Sequence, residues 1–366
     1  MSEVPVLLKQ AQTPLAGSDG HEVPTVQAGL TRVLVLGGSG HIGARLCALL
    51  QAGGWATPVA ASSRGGPGRL RLDIRDASAL RAALADADAV VNCVAGSAEA
   101  IAKGAQALAS AAAAAGCLRI VHLSTMSVYG AREGIVDEST PLDPGLGWYG
   151  QAKVEAEGIL TRLAHEHGAS VTLLRPGCVA GPGSHLWVGR VGRWLASGRL
   201  GDLGAAGDGW SNLVHVDDVC QAAMLALRGP AHPDAVRSYN LAAPDSPRWN
   251  TYFTDLAIAI GATPVVRVAE RRLKLDAYLA GPPLHLVRKV LGRVGRDVSG
   301  VPEAISPGLV GLFGRQLRLD SGLASRELGL SWTAYSVMVA QGARWWTAQR
   351  VLESQTRVGG VRVEER

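Results

Sequence analysis

The feature that most limits what this chain can fold into is a glycine turn set between two different periodicities. Arg32–Leu36 reads Arg-Val-Leu-Val-Leu, a short apolar run with strand character. It is followed directly by Gly37-Gly38-Ser39-Gly40-His41-Ile42-Gly43, which places glycines at G-x-x-G-x-x-G spacing, and then by a helical pattern over residues 41–50. A strand, a glycine turn and a helix in that order form an anion cradle. The first glycine permits the sharp turn, the second lets a pyrophosphate approach the backbone, and the third lets helix pack on strand. The helix N-terminus then faces the anion with free N–H groups. Gly37, Ser39, Gly40, His41, Ile42 and Gly43 are therefore expected to hold a dinucleotide. The bland alternative, an ordinary glycine-rich loop, does not account for the flanking periodicities.

Downstream, strand and helix signals keep alternating. Strands are expected at residues 57–61, 69–72, 89–94, 119–124 and 170–174, with helices at 77–85, 98–115 and 150–167. Near-continuous apolar strands separated by helices predict an α/β fold, a Rossmann-type doubly wound parallel sheet covered on both faces. Residues 214–216 and 238–241, flanking a helix at 218–227, read as late additions to that sheet. Residues 243–340 have another texture, with short helical patches and Pro282-Pro283. Between residues 262 and 320 there are ten Lys/Arg against five Asp/Glu. The organisation expected is a flexible arm at 1–30, a dinucleotide-binding domain at 31–178 plus 213–242, a smaller substrate-binding cap at 179–212 plus 243–349, and a polar tail at 350–366.

Composition excludes several classes. In 366 residues the net charge is +5, and no Lys/Arg run is interleaved with aromatics, so no nucleic-acid partner is expected. The five cysteines form no C-x-x-C pair, which argues against disulfides and a metal site and for a reducing compartment. No basic start followed by an apolar core marks a secretory signal, and no apolar stretch approaches the roughly 20 residues that span a bilayer. A cytoplasmic protein is the expectation. Peripheral membrane contact through the basic, apolar region 271–318 stays open.

Chemistry enters at Trp148-Tyr149-Gly150-Gln151-Ala152-Lys153. Tyr149 and Lys153 lie four residues apart and share a helix face. A free phenol titrates near pH 10, and a neighbouring ammonium favours the phenolate, which makes Tyr149 a workable proton shuttle. At the end of the second strand stand Ser62, Ser63 and Arg64, with no acid to accept ribose hydroxyls. Ser63 and Arg64 suit a 2′-phosphate, so NADP(H) is favoured over NAD(H). The bland reading of Arg64 is an exposed loop arginine.

Glycine turn and Y-x-x-x-K together resemble the extended short-chain dehydrogenase/reductase superfamily, also called the NAD-dependent epimerase/dehydratase family. The resemblance runs from about Arg32 to Trp346. It implies that Asp73 and Ile74 lie by the adenine and that Val94, Ala95 and Gly96 border the cofactor. It implies that Pro176 and Val179, in Arg175-Pro176-Gly177-Cys178-Val179-Ala180-Gly181-Pro182, frame the nicotinamide. Thr125, in Ser124-Thr125-Met126-Ser127-Val128-Tyr129-Gly130, would hydrogen-bond the reacting carbonyl, and Lys153 would hold the nicotinamide ribose. A homodimer is a family expectation only. In Val214-His215-Val216-Asp217-Asp218-Val219, a further family signature, Asp217 or Asp218 is expected to cap a helix and His215 to be structural.

Departures from the family pattern narrow the chemistry. Met126-Ser127 replaces the Asp-Glu of sugar-nucleotide dehydratases. Cys178 and Ser211 stand where sugar-nucleotide enzymes often carry Asn and a diphosphate-binding Arg. Ile101-Ala102-Lys103-Gly104-Ala105 lacks the Asn of the usual relay. Tyr278-Leu279-Ala280, residues 282–287 and residues 309–313 supply apolar clusters, and the stretch 317–329 is similar to the ending of hydroxysteroid-dehydrogenase-like and dihydroflavonol-reductase-like members. The leading expectation is an NADP(H)-dependent ketoreductase acting on an apolar, non-nucleotide substrate, with Tyr149, Lys153 and Thr125 as catalytic residues. An NAD-dependent sugar-nucleotide epimerase is the alternative, and a non-catalytic NADP-binding regulatory protein is the alternative from another class.

Overall fold

The computed structural model describes residues 32–143, 145, 147–293 and 303–360. The N-terminal arm expected at residues 1–30 lies outside them. Seven parallel strands form the main sheet: β1 (Arg32–Leu36), β2 (Thr57–Ser62), β3 (Leu70–Arg71), β4 (Ala89–Asn92), β5 (Arg119–Leu123), β7 (Ser170–Pro176) and β10 (Val236–Leu241). Their spatial order is β10-β7-β5-β4-β1-β2-β3, a doubly wound Rossmann-like sheet whose direction of winding reverses between β1 and β4. Register follows the apolar runs, with Leu34 beside Val59 on one edge and Val90 on the other. Val33, Leu34, Val35 and Val90 are wholly buried because helices cover both faces.

Those helices are α1 (His41–Gly53), α2 (Ala77–Leu84), α3 (Ala98–Ala115), α4 (Trp148–His167) and α6 (Val216–Arg228). Asp76 caps α2 by accepting from Ala79 N at 3.0 Å, and Ser97 caps α3 by accepting from Ala100 N at 3.2 Å. The alanine-rich face of α3 lets it lie close against α4. Elsewhere on α3, Gly104 packs on Ile74 from the loop after β3, where a Cβ would stand 2.7 Å from Ile74 Cγ2.

Two small parallel ladders carry the other half of the molecule. β6 (Gly134–Val136) pairs with β11 (Leu317–Leu319), and β8 (Cys178–Ala180) pairs with β9 (Leu213–His215). The expectation that residues 214–216 extend the large sheet is corrected here. After Pro176 the chain turns at Gly177, leaves the sheet edge to β10, and uses β9 as partner for the strand that departs. Around these ladders pack α5 (Val191–Ala196), α7 (Trp249–Ala259), α8 (Glu270–Leu275), α9 (Gly281–Arg293), α10 (Pro307–Phe313), α11 (Gly322–Leu328) and α12 (Tyr335–Gly360). A π turn at Asp276–Ala280 joins α8 to α9 without a break. The stretch expected as a polar tail is helical as far as Gly360. The core on this side is aromatic: Trp249 stacks on Phe253 at 5.5 Å and meets Phe313 edge-on at 5.1 Å.

Candidate functional site

The site lies at the carboxyl ends of the central strands, where an open α/β sheet leaves its crevice. Two cavities of about 530 and 490 Å³ adjoin there. They share His41, Ile42, Cys93, Val94 and Ala95 as a common wall, so they form one cleft with two arms.

The first arm is bounded by the glycine turn. Gly38 N donates to Ala61 O and Gly40 N to Gly37 O, both at 2.9 Å, which folds the turn onto β2. Gly37 has φ +77°, and a Cβ there would meet the Cys93 carbonyl at 3.0 Å. A Cβ on Gly43 would overlap the Gly37 carbonyl oxygen. Helix α1 starts at Gly40 with no side-chain cap and no acid in its first turn, so its leading N–H groups are left for an anion. Tight turn, uncapped helix start and adjoining cavity fit the pyrophosphate of a dinucleotide.

Gly37, Ser39, Gly40, His41, Ile42, Gly43, Ser63, Arg64, Asp73, Ile74, Val94 and Ala95 all line this arm. Gly96, named with them from the sequence, borders neither arm among the described residues. Among the described residues Asp73 is the only carboxylate in the lining, and it is engaged: Arg75 donates to it from N, Nε and Nη2 at 3.0, 3.0 and 2.6 Å. Those bonds hold its carboxyl down to about 2. His41 bridges the arms with Nε2 2.9 Å from Pro182 O, and burial lowers its pKa.

The second arm holds Thr125, Tyr149, Lys153, Pro176 and Val179. Tyr149 and Lys153 sit on successive turns of α4, and Thr125 opens the short 3₁₀ turn Met126–Tyr129 after β5. Burial pushes the Tyr149 phenol up, and a hydrogen bond with Thr125 works against it. The offset expected from Lys153 therefore comes in this geometry from Thr125. Lys153 is 2% exposed, and its ammonium donates to Leu123 O at 2.5 Å and Val94 O at 3.3 Å. Burial pulls its pKa down to about 8, although the nearby Cys93 and Glu157 favour the charged form.

One turn beyond Lys153, Glu157 continues the same helix face, and the sequence reading passed over it. Its carboxylate accepts from Ser124 Oγ at 2.5 Å and from Arg175 Nε and Nη2 at 3.0 and 2.7 Å. Arg175 Nη1 also donates to Tyr129 Oη at 2.9 Å, and Tyr129 donates to Asn240 Oδ1 at 2.7 Å. This buried network clamps α4 to β5, β7 and β10. It fixes Thr125, the neighbour of Ser124, against Tyr149. The i, i+4, i+8 spacing of Tyr149, Lys153 and Glu157 was the signal available in the sequence.

The far wall is apolar and aromatic, with Met126, Leu186, Trp187, Leu312 and Leu317. Trp210 borders it, its ring flanked by the Arg248 and Arg318 guanidinia at 4.7 and 4.4 Å. Ser211 is turned away from the cleft and buried, with Oγ bonded to Ser246 Oγ at 3.0 Å and Pro247 O at 2.5 Å. Cys178 lines the cleft, its thiol pushed up by burial. The cation that the sequence reading missed is Arg315, which borders the cleft and donates to Gly130 O at 3.1 Å. It stands just before β11, in a loop with no periodic pattern to mark it. Asn212, at φ +45°, borders the same wall and ties β11 down, donating to Leu317 O at 2.8 Å and accepting from Leu319 N at 2.9 Å.

The later signature is structural. His215, not an aspartate, caps α6 by accepting from Asp217 N at 3.1 Å. Asp217 instead pairs with Arg45, and Asp218 accepts from Thr333 N and Oγ1.

A parallel sheet with an uncapped glycine turn at its crevice, and a Tyr–Lys helix beside that crevice, defines the class of nicotinamide-dependent enzymes of extended short-chain dehydrogenase/reductase type. The family model for the NAD dependent epimerase/dehydratase family matches residues 33–242, and the chain belongs to that family. The protein YeeZ of Escherichia coli K12 is 31% identical over 244 residues, covering 62% of this chain and 83% of its own. The protein y4nG of Sinorhizobium fredii is 26% identical over 335 residues, covering 87% and 79%. Among solved structures, Thermotoga maritima UDP-glucose 4-epimerase with UDP-glucose superposes at TM-score 0.66 and 18% identity, covering 87% of this chain and all (100%) of its own. Bacillus cereus UDP-glucuronic acid 4-epimerase in complex with NAD superposes at 0.67 and 18%, covering 87% and 96%.

Proposed function

We propose that this protein is an NAD-dependent epimerase acting at a secondary carbinol carbon of an anionic substrate of the sugar-nucleotide class. The observation that carries the reading is the cleft itself. The Thr125 and Tyr149 side chains line the arm next to the dinucleotide cradle, and Arg315 borders that same arm. A bound nicotinamide dinucleotide supplies the hydride acceptor and donor. Tyr149 takes the proton from the substrate hydroxyl oxygen and returns it, and Thr125 holds that oxygen in line. Lys153, anchored on Leu123 O and Val94 O one turn along α4 from Tyr149, holds the nicotinamide ribose. Arg315 supplies positive charge for the anionic part of the substrate in place of the arginine absent at Ser211. The solved epimerases of the same fold, whose structures hold UDP-sugars or NAD, support this alternative over the ketoreductase expectation.

A second reading has its own observation. Arg64 lines the first arm, where the end of β2 carries no acid, which suits a 2′-phosphate and thus NADP(H). Together with the apolar wall, this supports net ketone reduction. One experiment separates the two. UDP-glucose and UDP-glucuronic acid are incubated with the protein and NAD, products are resolved by chromatography, and nicotinamide absorbance is followed. Epimerisation without net change in absorbance is expected. Stoichiometric NADPH consumption with ketones, and no sugar interconversion, would establish the second reading instead. In either case Tyr149→Phe lowers turnover by about 10³-fold while dinucleotide affinity is kept. Undiminished turnover removes Tyr149 as the acid/base.

A further inference from the structure

The continuous helix formed by α8, the π turn and α9 is amphipathic in an inverted sense. Its protein-facing stripe is slender: Leu273 and Ala277 are each 1% exposed, with Gly281 buried one turn on. Its opposite stripe displays Leu275, Leu279, Leu286 and Val290 to solvent, flanked by Tyr278 and Val287. Residues 275, 279, 286 and 290 follow the i, i+4, i+11, i+15 pattern of one helix face. Fourteen large hydrophobic side chains are exposed among the described residues, and six of them lie on this helix. Such a concentration marks an interaction surface, since scattered exposed residues need no explanation and clustered ones do.

Charge identifies the occupant. Residues 270–293 hold six Lys/Arg and two Asp/Glu. Both acids are already matched, Asp276 by Arg199 at 2.5 Å and Glu270 by Lys274 at 2.6 Å. Arg271 and Arg272 are exposed at the start of the apolar stripe and Lys289 near its end. An apolar strip with cations at both ends matches an anionic phospholipid surface, where acyl chains take the strip and headgroups the cations. A second copy of the chain would set these cations against one another. No helix of the described residues is long and apolar enough to cross a membrane, so the fit is to the surface and not to the interior.

We infer that the helix of residues 270–293 seats the protein on anionic membrane surfaces. Helix α10 packs on α8 and the π turn and carries Leu312 into the cleft wall, so the seated face lies close behind the substrate arm.

The test uses the full chain and vesicles of phosphatidylcholine alone or with phosphatidylglycerol at about a third of the lipid, a composition that carries an anionic surface charge. Co-sedimentation is expected with the anionic vesicles and is weakened by salt. Leu279→Glu and Leu286→Glu, on solvent-facing positions that leave the fold intact, each weaken it by roughly tenfold or more. Lys289→Glu weakens it without loss of thermal stability. No sedimentation of the wild-type chain with anionic vesicles, equal sedimentation with neutral ones, or undiminished binding by both leucine variants overturns the inference. So does a dimer by size-exclusion light scattering that Leu279→Glu dissociates.

Discussion

The two halves of the molecule build their cores from different materials. Beneath the main sheet, α2, α3 and α4 pack on leucine, isoleucine, valine and alanine, and the fully buried members of that cluster include no aromatic ring. Around the small ladders the core adds large rings to its aliphatic side chains, among them Trp194, Trp249, Tyr252, Phe253 and Phe313, which include both phenylalanines of the chain. Small side chains at helical and strand periods allow close, repeated packing of regular elements. Large rings fill irregular space between short helices and three-residue strands, where no period exists to follow. One half is specified by pattern and the other by a few anchors.

That contrast is open to direct attack. Trp249 touches Trp187, Tyr252, Phe253 and Phe313, so Trp249→Ala is expected to cost about 3–5 kcal/mol. The loss should show as an early near-ultraviolet circular-dichroism transition while dinucleotide binding persists. Parallel loss of dinucleotide binding would mean that the halves are not separable.

Next in size is the buried ammonium of Lys153 in the aliphatic half. Lys153 has its pKa pulled from 10.5 down to about 8, so below pH 8 the folded state bears the charge at a penalty that the unfolded chain escapes. Between about 8 and 10.5 the unfolded state binds more protons, and stability contributed by this group rises with pH. The span is about 3 kcal/mol at most, read as the difference in denaturant midpoint against Lys153→Met across that window. Equal pH slopes in the two proteins would show that Lys153 is not the source. A smaller effect is expected from Gly43→Ala, whose Cβ overlaps the Gly37 carbonyl oxygen. It should cost about 1–3 kcal/mol and weaken dinucleotide binding in calorimetry without altering the aromatic circular-dichroism signal. Smallest is Asp76→Ala, which removes the α2 cap for about 1 kcal/mol by thermal melting.

The same division decides what was legible beforehand. The strands of the main sheet announce themselves because both faces are buried and their residues run apolar without interruption, as in Arg32–Leu36 and Ala89–Asn92. The glycine turn and the Tyr149–Lys153 spacing are likewise local, and the fold brings both to one cleft. Three-residue strands such as Cys178–Ala180 and Leu317–Leu319 are too short to show a period, so nothing local tells that the run around residues 214–216 pairs with Cys178–Ala180 and not with the large sheet. Arg315 reaches the cleft only through tertiary packing, and His215 caps a helix in place of the aspartates beside it. Glu157 is the exception, a residue on a readable helix face whose partner, Arg175, lies on the following strand, β7.

Asn212 and the ladder of β11 have a consequence for how the enzyme comes into being. The last strand of the main sheet ends at Leu241, whereas Arg315 and Leu317 follow only after α7 to α10. A chain emerging from the ribosome exposes every residue that lines the dinucleotide arm, Leu36 to Ala100, before Leu312, Arg315 and Leu317 of the far wall. The substrate arm is complete only once β11 has been made, when Leu317 O and Leu319 N meet the side chain of Asn212.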